Sequence, residues 1–217
     1  MHRSQKAFTL VELLVVISII LIASSIIFIG GNSGSGAALS SSQRIVSGIA
    51  QGARGQAILK NAETRLIIYA GADRNATGDP EKWLRFFGIV YWGTDSDGTE
   101  GWIAATQGTF LPDGIYFNKD LSDDNNWPES TMTLDYPRVK AQTGGSETYY
   151  YYEFNSNGTM ATGFDNAWLV LQAGTLRPVD GTLSVDFTEE KNANLKTALI
   201  FRRVGTTTPV NDPGDID

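Results

Sequence analysis

The sequence predicts an α+β protein in which a long N-terminal membrane-spanning helix continues into a head of antiparallel β-sheets. Three observations predict it. Residues 8–29 are an almost uninterrupted apolar run, residues 37–61 carry an apolar stripe with helical spacing, and residues 62–205 alternate short β-branched or aromatic runs with turn signals. Short, regularly spaced strands of this kind are typical of antiparallel sheets rather than of βαβ units.

The composition excludes several classes of protein. The 217 residues include 17 Lys and Arg against 24 Asp and Glu, a formal net charge of −7. General nucleic-acid binding favours a basic surface, so this balance argues against it. The chain has no cysteine and its one histidine is His2. Disulfides, thiolate metal sites and histidine-activated nucleophiles are therefore excluded from the body of the chain, and we expect that the protein is not an enzyme.

The apolar run is long enough to cross a bilayer. As a helix, residues 8–29 extend about 33 Å, and the hydrocarbon core of a bilayer is about 30 Å thick. Arg3 and Lys6 precede the run, and the next basic residue is Arg44. Since basic residues favour the cytoplasmic side, we expect a single-pass protein with its N-terminus in the cytoplasm. A cleaved secretory signal, the alternative, has a shorter apolar core of about 7–15 residues.

One acidic residue interrupts the apolar run. Glu12 lies within the first turns of the expected membrane helix, and a charged side chain at the centre of a bilayer costs about 2.5–3.5 kcal/mol. Either the carboxylate lies at interface depth and stays solvated, or it has a positively charged partner. The residues alone leave both possibilities open.

Residues 6–16, with the sequence KAFTLVELLVV, resemble the cleavage and methylation motif of type IV pilin and type II secretion pseudopilin precursors. The resemblance implies a pilin-like fold, in which a prepilin peptidase removes the leader 1–7 between Ala7 and Phe8 and the new Phe8 amine is N-methylated. It also implies that the helix 8–29 anchors the protein in the bacterial inner membrane, with the head in the periplasm, and later forms the core of a fibre. This sequence has Ala7 where the family usually has glycine.

The resemblance also gives Glu12 a partner. In the fibre its carboxylate would face the charged Phe8 amine of a neighbouring subunit, and opposite charges attract more strongly in a medium of low dielectric constant. We expect this pair to set the register of the subunits more than to add net stability. The implied partners are other pilin or pseudopilin subunits, the prepilin peptidase and an inner-membrane assembly platform.

The residues after the apolar run predict a hinge and then the outer half of the helix. The sequence GGNSGSG at residues 30–36 is typical of a flexible segment. Over residues 37–61 an apolar residue recurs every four positions, at Ile45, Ile49, Ala53 and Ala57, and the stripe is widened by Val46, Ala50 and Ile58. The small residues Gly48, Gly52 and Gly55 are expected to permit close packing of this helix against a sheet.

The head is expected over residues 62–205 as a set of short strands. The predicted strands are residues 64–69, 86–92, 101–105, 114–117, 148–154, 168–172, 182–187 and 198–204. Turn signals such as Asp97-Gly98 and Asn157-Gly158 separate them. The remaining residues, 206–217, contain two Pro and three Asp and predict a flexible acidic tail.

Short motifs narrow the resemblance to H-type minor pseudopilins and the related FimT-like minor pilins. They are Ala53-x-x-Gln56-Ala57-Ile58 at the helix end, LPDGI at 111–115, FNSNGT at 154–159, LVL at 169–171 and LIFRRVG at 199–205. The resemblance implies a minor subunit of a type II secretion pseudopilus or a type IV pilus-like fibre that serves protein secretion. The aromatic-rich residues 83–102 and 118–145 depart from the compact family pattern.

Two further features of the head are candidate sites. Asp95, Asp97 and Glu100 resemble a fragment of a calcium loop, but Thr106 stands where a complete loop has its bidentate glutamate. The alternative is a polar hairpin turn, and no other cofactor is expected. The four consecutive tyrosines 149–152 alternate between the faces of a strand, so they predict either a recognition patch or ordinary packing.

Two other functions stay open. FimT-like minor pilins are associated with DNA uptake through a basic surface, and Arg177, Arg202 and Arg203 are the basic concentration near the C-terminus, although acidic residues lie beside them. A membrane-anchored, carboxylate-dependent hydrolase would need two acids about 5–10 Å apart in a cleft. No motif indicates such a pair.

Overall fold

The computed structural model of the chain describes residues 33–71, 79–122, 130–179 and 182–216. The expected leader, the expected membrane helix and residues 30–32 lie outside these segments. The described residues form one α-helix, α1 (Ser33–Lys60), and twelve strands. The strands are β1 (Thr64–Tyr69), β2 (Phe86–Thr94), β3 (Glu100–Ala104), β4 (Thr109–Phe110), β5 (Ile115–Asn118), β6 (Thr131–Leu134), β7 (Glu147–Phe154), β8 (Trp168–Ala173), β9 (Thr175–Val179), β10 (Thr182–Asp186), β11 (Lys196–Phe201) and β12 (Thr207–Val210).

The strands form three antiparallel sheets. The first sheet has the order β3-β2-β1-β7-β6, with β4 also paired to β2, and the second has the order β12-β11-β8-β5. Strands β9 and β10 form a separate hairpin. The α+β class and the antiparallel pairing therefore agree with the prediction, and each predicted strand is present with ends that differ by up to three residues.

Helix α1 lies against both larger sheets. Its buried face consists of Leu39, Ser42, Val46, Ala50, Ala53 and Ala57, positions separated by steps of three or four residues. The predicted four-residue stripe was wrong at its first member, because Ile45 is 38% exposed, and so was the expectation that Ile58 widens it, because Ile58 is 53% exposed. Four residues rotate a helix by about 40° more than one turn, so a strict four-residue repeat drifts away from the core.

The helix begins earlier than the predicted hinge allows. Ser33 to Gly36 lie within α1, although glycine disfavours helix by about 1 kcal/mol per residue. Burial of Leu39 and Ser42 against the head anchors the first turns, and the Ser42 hydroxyl donates to the Ala38 carbonyl over 2.7 Å. Tertiary packing thus overrides the local glycine preference.

The helix ends in a Schellman motif that turns the chain into β1. The Ala62 N–H donates to the Ala57 carbonyl over 3.1 Å, and the Asn61 N–H donates to the Ile58 carbonyl over 3.3 Å. Asn61 has a φ of 48°, and asparagine is one of the few side chains that tolerate this left-handed position. The motif fixes the direction in which β1 leaves the helix.

The main core lies between α1 and the inner faces of the two sheets. Aromatic pairs join the sheets: the ring centroids of Phe87 and Phe117 are 5.3 Å apart, and those of Tyr152 and Phe201 are 4.5 Å apart. Each such pair stabilises the folded state by about 0.5–1.5 kcal/mol beyond the stabilisation that comes from the apolar area it buries. The helix and the two sheets therefore share one apolar interior.

A second cluster covers the outer face of the first sheet. It includes Ile67, Phe86, Tyr136 and Tyr149, all buried. The Tyr136 hydroxyl donates to the Thr106 carbonyl over 2.8 Å, and a Cβ at Gly88 would overlap the Tyr136 ring. Glycine at position 88 is thus required by close approach of the tyrosine.

The segment 138–142 lies along the outer edge of β3. Trp102 and Gln142 exchange two backbone hydrogen bonds of 2.8 and 3.1 Å, and the Ala104 N–H donates to the Arg138 carbonyl over 2.8 Å. The chain itself therefore occupies the edge that β3 would otherwise leave unpaired.

Four strands were not predicted: β4, β6, β9 and β12. Pro178 and Pro209 lie within β9 and β12, and a proline usually argues against a strand because it lacks the N–H donor. Here both strands end their sheets, where a missing donor is tolerated. Strand β6 lies in the aromatic-rich segment that departed from the family pattern, and β4 has two residues, too few to give a pattern.

The predicted flexible tail is packed in the structure up to residue 216. Strand β12 pairs with β11, and Ile216 is 1% exposed in a cluster with Val170 and Ala198. The Lys196 ammonium donates to the Ile216 carbonyl. One buried isoleucine and one strand outweigh the polar composition that suggested a loose segment.

Candidate functional site

The predicted processing and assembly residues Ala7, Phe8 and Glu12 lie outside the described residues. The structure begins at Ser33, with the helix that follows the apolar run. Among the helices of residues 33–71, 79–122, 130–179 and 182–216, none combines the length and the apolar character needed to span a membrane. The candidate site that the structure describes is therefore the part of α1 that connects the run to the head.

Hydrogen bonds fix which face of α1 points outward. The Gln43 side-chain amide donates to Thr197 Oγ1 over 2.5 Å and to the Ala198 carbonyl over 3.1 Å. The hydroxyls of Ser47 and Thr207 are 2.9 Å apart. These bonds tie one side of the helix to β11 and β12 and hence set its rotation about its own axis.

The opposite side, which we name the outer face of α1, combines four small residues with the longer side chains of Arg44, Gln51 and Leu59. Its members are all exposed: Ala37, Ser41, Arg44, Gly48, Gln51, Gly55 and Leu59. A Cβ built at Gly48 or Gly55 would meet no atom within 4 Å. Leu59, at the end of the row, is 76% exposed. Small residues along one face let a second helix approach closely.

Gly48, Gly52 and Gly55 of α1 were expected to pack on a sheet, and this was wrong for two of the three. A Cβ at Gly52 would lie 3.4 Å from Ile89 Cδ1, whereas Gly48 and Gly55 face away from the head. The seven-residue spacing of Gly48 and Gly55 corresponds to about two helical turns. That spacing was the signal in the sequence for an exposed face of small residues.

The acidic turn between β2 and β3 is built around one carboxylate. Asp95 Oδ1 accepts hydrogen bonds from the N–H groups of Asp97 and Thr99 over 2.9 and 3.0 Å, and Asp95 Oδ2 accepts from the Ala141 N–H over 3.1 Å. Gly98 has a φ of +81°, which glycine adopts without strain. The backbone donor at Thr99, followed by those at Ala141 and Asp97, lowers the pKa of Asp95.

The other two candidate calcium ligands differ from Asp95 in their surroundings. Asp97 Oδ2 is 2.7 Å from the Lys140 ammonium, and Glu100 is the exposed first residue of β3. Among the described residues, no group of three or more His, Cys, Asp or Glu side chains is arranged to hold a metal ion. The oxygens of Asp95 are used to hold a hairpin turn.

The three arginines near the C-terminus do not form one basic surface. Arg177 lies 3.3 Å from Asp186 Oδ2 and 2.5 Å from Glu189 Oε1. Arg203 lies 3.8 Å from Asp165 Oδ2, and Arg202 Nε donates to Thr208 Oγ1 over 3.0 Å. Nearby carboxylates offset the charge of two of the three residues, and Arg177 belongs to the separate hairpin.

The four tyrosines of β7 are packing residues. Tyr149 and Tyr152 are fully buried, one on each face of the first sheet, and Tyr150 and Tyr151 are half-buried. Burial first, and the Glu147 carboxylate second, raise the pKa of Tyr149. The Tyr149 hydroxyl donates to Glu147 Oε2 over 2.5 Å. These rings do not form the exposed recognition patch that the run of tyrosines could have indicated.

Comparison with known proteins places the N-terminal residues in a described family. Residues 2–28 match the family "Prokaryotic N-terminal methylation motif". Searches of curated proteins and of solved structures gave no match. The chain thus carries the N-terminal motif of type IV pilin-like precursors, and this motif precedes α1 by a few residues.

Proposed function

We propose that the protein is the precursor of a structural fibre subunit, in which a prepilin peptidase cleaves between Ala7 and Phe8 and the new Phe8 amine is methylated. The subunit would then assemble with other pilin-like subunits. The proposed role is not catalytic and uses no cofactor. The observation that carries the proposal is the match of residues 2–28 to the methylation motif.

The described structure supports an assembly role for the helix. The motif lies just before α1, which holds the head by one face and leaves the outer face exposed. In a fibre of this kind each helix needs two separate faces, because one face packs on the head of its own subunit and the other contacts the helices of neighbouring subunits. Small side chains on the outer face suit close contact between helices.

The finer proposal is a minor subunit of the H type, in a type II secretion pseudopilus or a type IV pilus-like fibre that serves protein secretion. The motifs that suggested it take part in the shared core. Ala53 and Ala57 lie on the buried face of α1, Leu111 and Ile115 flank the turn at Gly114, and Phe154 contacts Phe201 with ring centroids 6.1 Å apart. The proposal of the H type rests on the order of these motifs along the chain.

The proposed mechanism of assembly depends on Glu12. In the bilayer the helix anchors the subunit, and in the fibre the Glu12 carboxylate pairs with the methylated Phe8 amine of a neighbour. A buried acid left without a partner is strongly unfavourable. A subunit that enters the fibre out of register would leave Glu12 unpaired, so the pair selects one register.

Mass spectrometry of the N-terminus tests the proposal. The full chain is expressed together with a prepilin peptidase, extracted from membranes and analysed intact. We expect a mature chain that begins with N-methylated Phe8. An intact Met1, or a new terminus between residues 23 and 37, would contradict the proposal.

Two variants separate processing from assembly. Ala7→Gly introduces the glycine that pilin-like precursors usually have before the cleavage site. We expect the leader of this variant to be removed at least as completely as that of the parent. Glu12→Ala is expected to lose the leader normally but to enter fibres less. Fibre entry of Glu12→Ala equal to that of the parent would contradict the pairing.

A further inference from the structure

An open groove lies where α1 passes into β1, beside the end of the first sheet. Its volume is ≈ 750 Å³, which is within the range of about 300–1,000 Å³ typical of ligand sites. The groove is lined by residues from the helix end, the start of β1, strands β2 and β3 and the loop after β7: Lys60, Asn61, Ala62, Glu63, Arg65, Trp92, Trp102 and Ser156. These residues are far apart in the sequence, and strand pairing brings them together.

The floor of the groove is rigid. The Arg65 guanidinium lies between two aromatic rings, with its Cζ 4.2 Å from the centroid of Trp102 and 3.9 Å from that of Tyr151. Arg65 Nε donates to Glu153 Oε2 over 2.7 Å. Cation–π contacts on both faces and an ion pair hold the guanidinium in place, so the Trp102 ring is fixed as well.

One indole of the groove stays accessible. Trp92 and Trp102 face each other across β2 and β3, with ring centroids 5.5 Å apart and planes at 80°. Trp102 is 7% exposed, whereas Trp92 is 37% exposed. The edge-to-face contact fixes the orientation of Trp92 without covering it. A large, oriented aromatic ring is thus presented to solvent at the wall of the groove.

The charges around the groove balance. Among the lining residues Lys60 and Arg65 carry positive charge and Glu63 carries negative charge, and the charge of Arg65 is offset by its ion pair with Glu153. Single-stranded nucleic acid needs an excess of positive charge along its backbone as well as aromatic rings, and a chain with net charge −7 is repelled by phosphate. Apart from the two indoles, Ala62 is the one apolar residue among those lining the groove in the described part of the chain, so the groove offers a flat aromatic surface and no pocket for an aliphatic peptide side chain.

We infer that the groove binds a neutral saccharide chain, with one pyranose ring stacked on Trp92. A pyranose has faces covered by C–H groups and an edge of hydroxyls, and it carries no charge. The faces suit an exposed indole, and the hydroxyls suit the donors and acceptors of Lys60, Asn61, Glu63 and Ser156. β-Linked glucose chains fit best, because their equatorial substituents leave both ring faces free of hydroxyls. The inference concerns the head alone and does not depend on how the N-terminus is processed.

Binding of cellotetraose tests the inference. The detergent-extracted full chain is titrated with cellotetraose by calorimetry, and retention on insoluble cellulose is measured in parallel. We expect saturable binding to the parent. Trp92→Ala should weaken binding by about tenfold or more, because it removes the main apolar contact, and Trp92→Phe should recover part of the loss.

Phe110→Ala is the matched control, because Phe110 is a similarly exposed aromatic residue, 43% exposed, outside the groove. It should bind cellotetraose as the parent does, and the thermal midpoints of all variants are compared to exclude unfolding. Absence of binding to cellotetraose and cellulose would overturn the inference. So would binding unaffected by Trp92→Ala, or binding of oligothymidylate in place of the saccharide.

Discussion

Asp95 determines the shape of the hairpin between β2 and β3. Its carboxylate accepts three backbone hydrogen bonds, two within the turn and one from Ala141 in the segment that covers β3. The charged form makes these bonds best, so folding lowers the pKa of Asp95. The same residue therefore joins the turn to the covering segment and makes both sensitive to acid.

The pH dependence of stability follows from this lowered pKa. Because the folded-state pKa lies below the ordinary value of 3.8, Asp95 stabilises the folded protein above the unfolded-state pKa. The contribution is lost as the pH falls through the folded-state pKa. Asp135 and Asp186 have lowered pKa values for similar reasons, chiefly hydrogen bonds from Ser146 and Thr188, and they add to the loss in acid.

We predict that Asp95→Asn reduces the loss of stability in acid. The thermal midpoint of the parent should fall as the pH is lowered from neutral to below 3.8, and that of Asp95→Asn should fall less, as measured by circular dichroism. Asp97→Asn, which removes the exposed pair with Lys140, is the control and should follow the parent. An identical fall for Asp95→Asn and the parent would contradict the role of Asp95.

The sequence could predict the position of a turn but not the contacts that follow from strand register. The Asp97-Gly98 signal lies between β2 and β3, as predicted, whereas the pairing of Trp92 with Trp102 depends on the exact loop length, which the signal does not give. The contact of Arg65 with Tyr151 could not be predicted. It depends on the register of β1 against β7, which joins residues 86 positions apart and is set by the packing of the whole head.

At the scale of elements, the two faces of α1 differ in their contacts: one packs on the head and the other is exposed. The buried face is fixed by burial of alanine and valine and by the hydrogen bonds of Gln43 and Ser47. The outer face contributes no such contacts at Gly48 and Gly55. Glycine in an exposed helix disfavours folding, so glycine at these positions is a cost to the isolated subunit that close contact with a neighbouring helix would offset.

We predict that Gly48→Gln has opposite effects on the subunit and on the fibre. The isolated protein should become more stable by about 0.5–1 kcal/mol, because glutamine favours helix over glycine. Fibre entry should decrease, because the longer side chain keeps neighbouring helices apart. Urea denaturation measures the first effect, and the amount of protein in sheared fibres measures the second.

Gly48→Ala is the graded control for this experiment. Alanine should give the same gain in stability with a much smaller effect on fibre entry. If Gly48→Gln enters fibres as well as the parent, the outer face of α1 is not a contact between subunits.

The elements that the sequence predicted have clear apolar patterns. Helix α1 has apolar residues at helical spacing, strands β1 and β8 are short apolar runs, and the bounds of all three were predicted to within a few residues. Strands β9 and β12 contain proline, and β4 has two residues, so local pattern could not reveal them. They form because a neighbouring strand already offers unpaired N–H and C=O groups, which is a property of the assembled sheet.

At the scale of the whole molecule, α1 and two sheets enclose one core. The α+β class could be predicted from the order of helical and strand patterns. The division of the strands between two sheets could not, because β5 pairs with β8 and β1 with β7, over separations that no local pattern encodes. The C-terminal residues contribute β12, the edge strand of the second sheet, and Ile216, which packs against Val170 and Ala198 of that sheet.

We predict that Ile216→Ala destabilises the head by about 2–4 kcal/mol. Ile216 is 1% exposed beside Val170 and Ala198, and truncation of a buried isoleucine leaves a cavity. Urea denaturation should show a lower midpoint with an unchanged slope. Val139→Ala, at a position that is 69% exposed, is the control and should change the midpoint little.

A change at Ile216 no larger than that at Val139 would mean that the C-terminal residues do not contribute to the fold. Any effect of Ile216→Ala on fibre entry should then be compared at equal amounts of folded protein, because loss of the head would also reduce assembly.

The segment 138–142 has a consequence for how copies of this protein can join. Since Arg138 and Gln142 already take the backbone partners of β3, a second copy cannot extend the first sheet there into a continuous ribbon. Polymers held by shared strands resist detergent and form the cross-β material of amyloid. Copies of this protein that meet at this edge are therefore joined by side-chain contacts and not by shared strands.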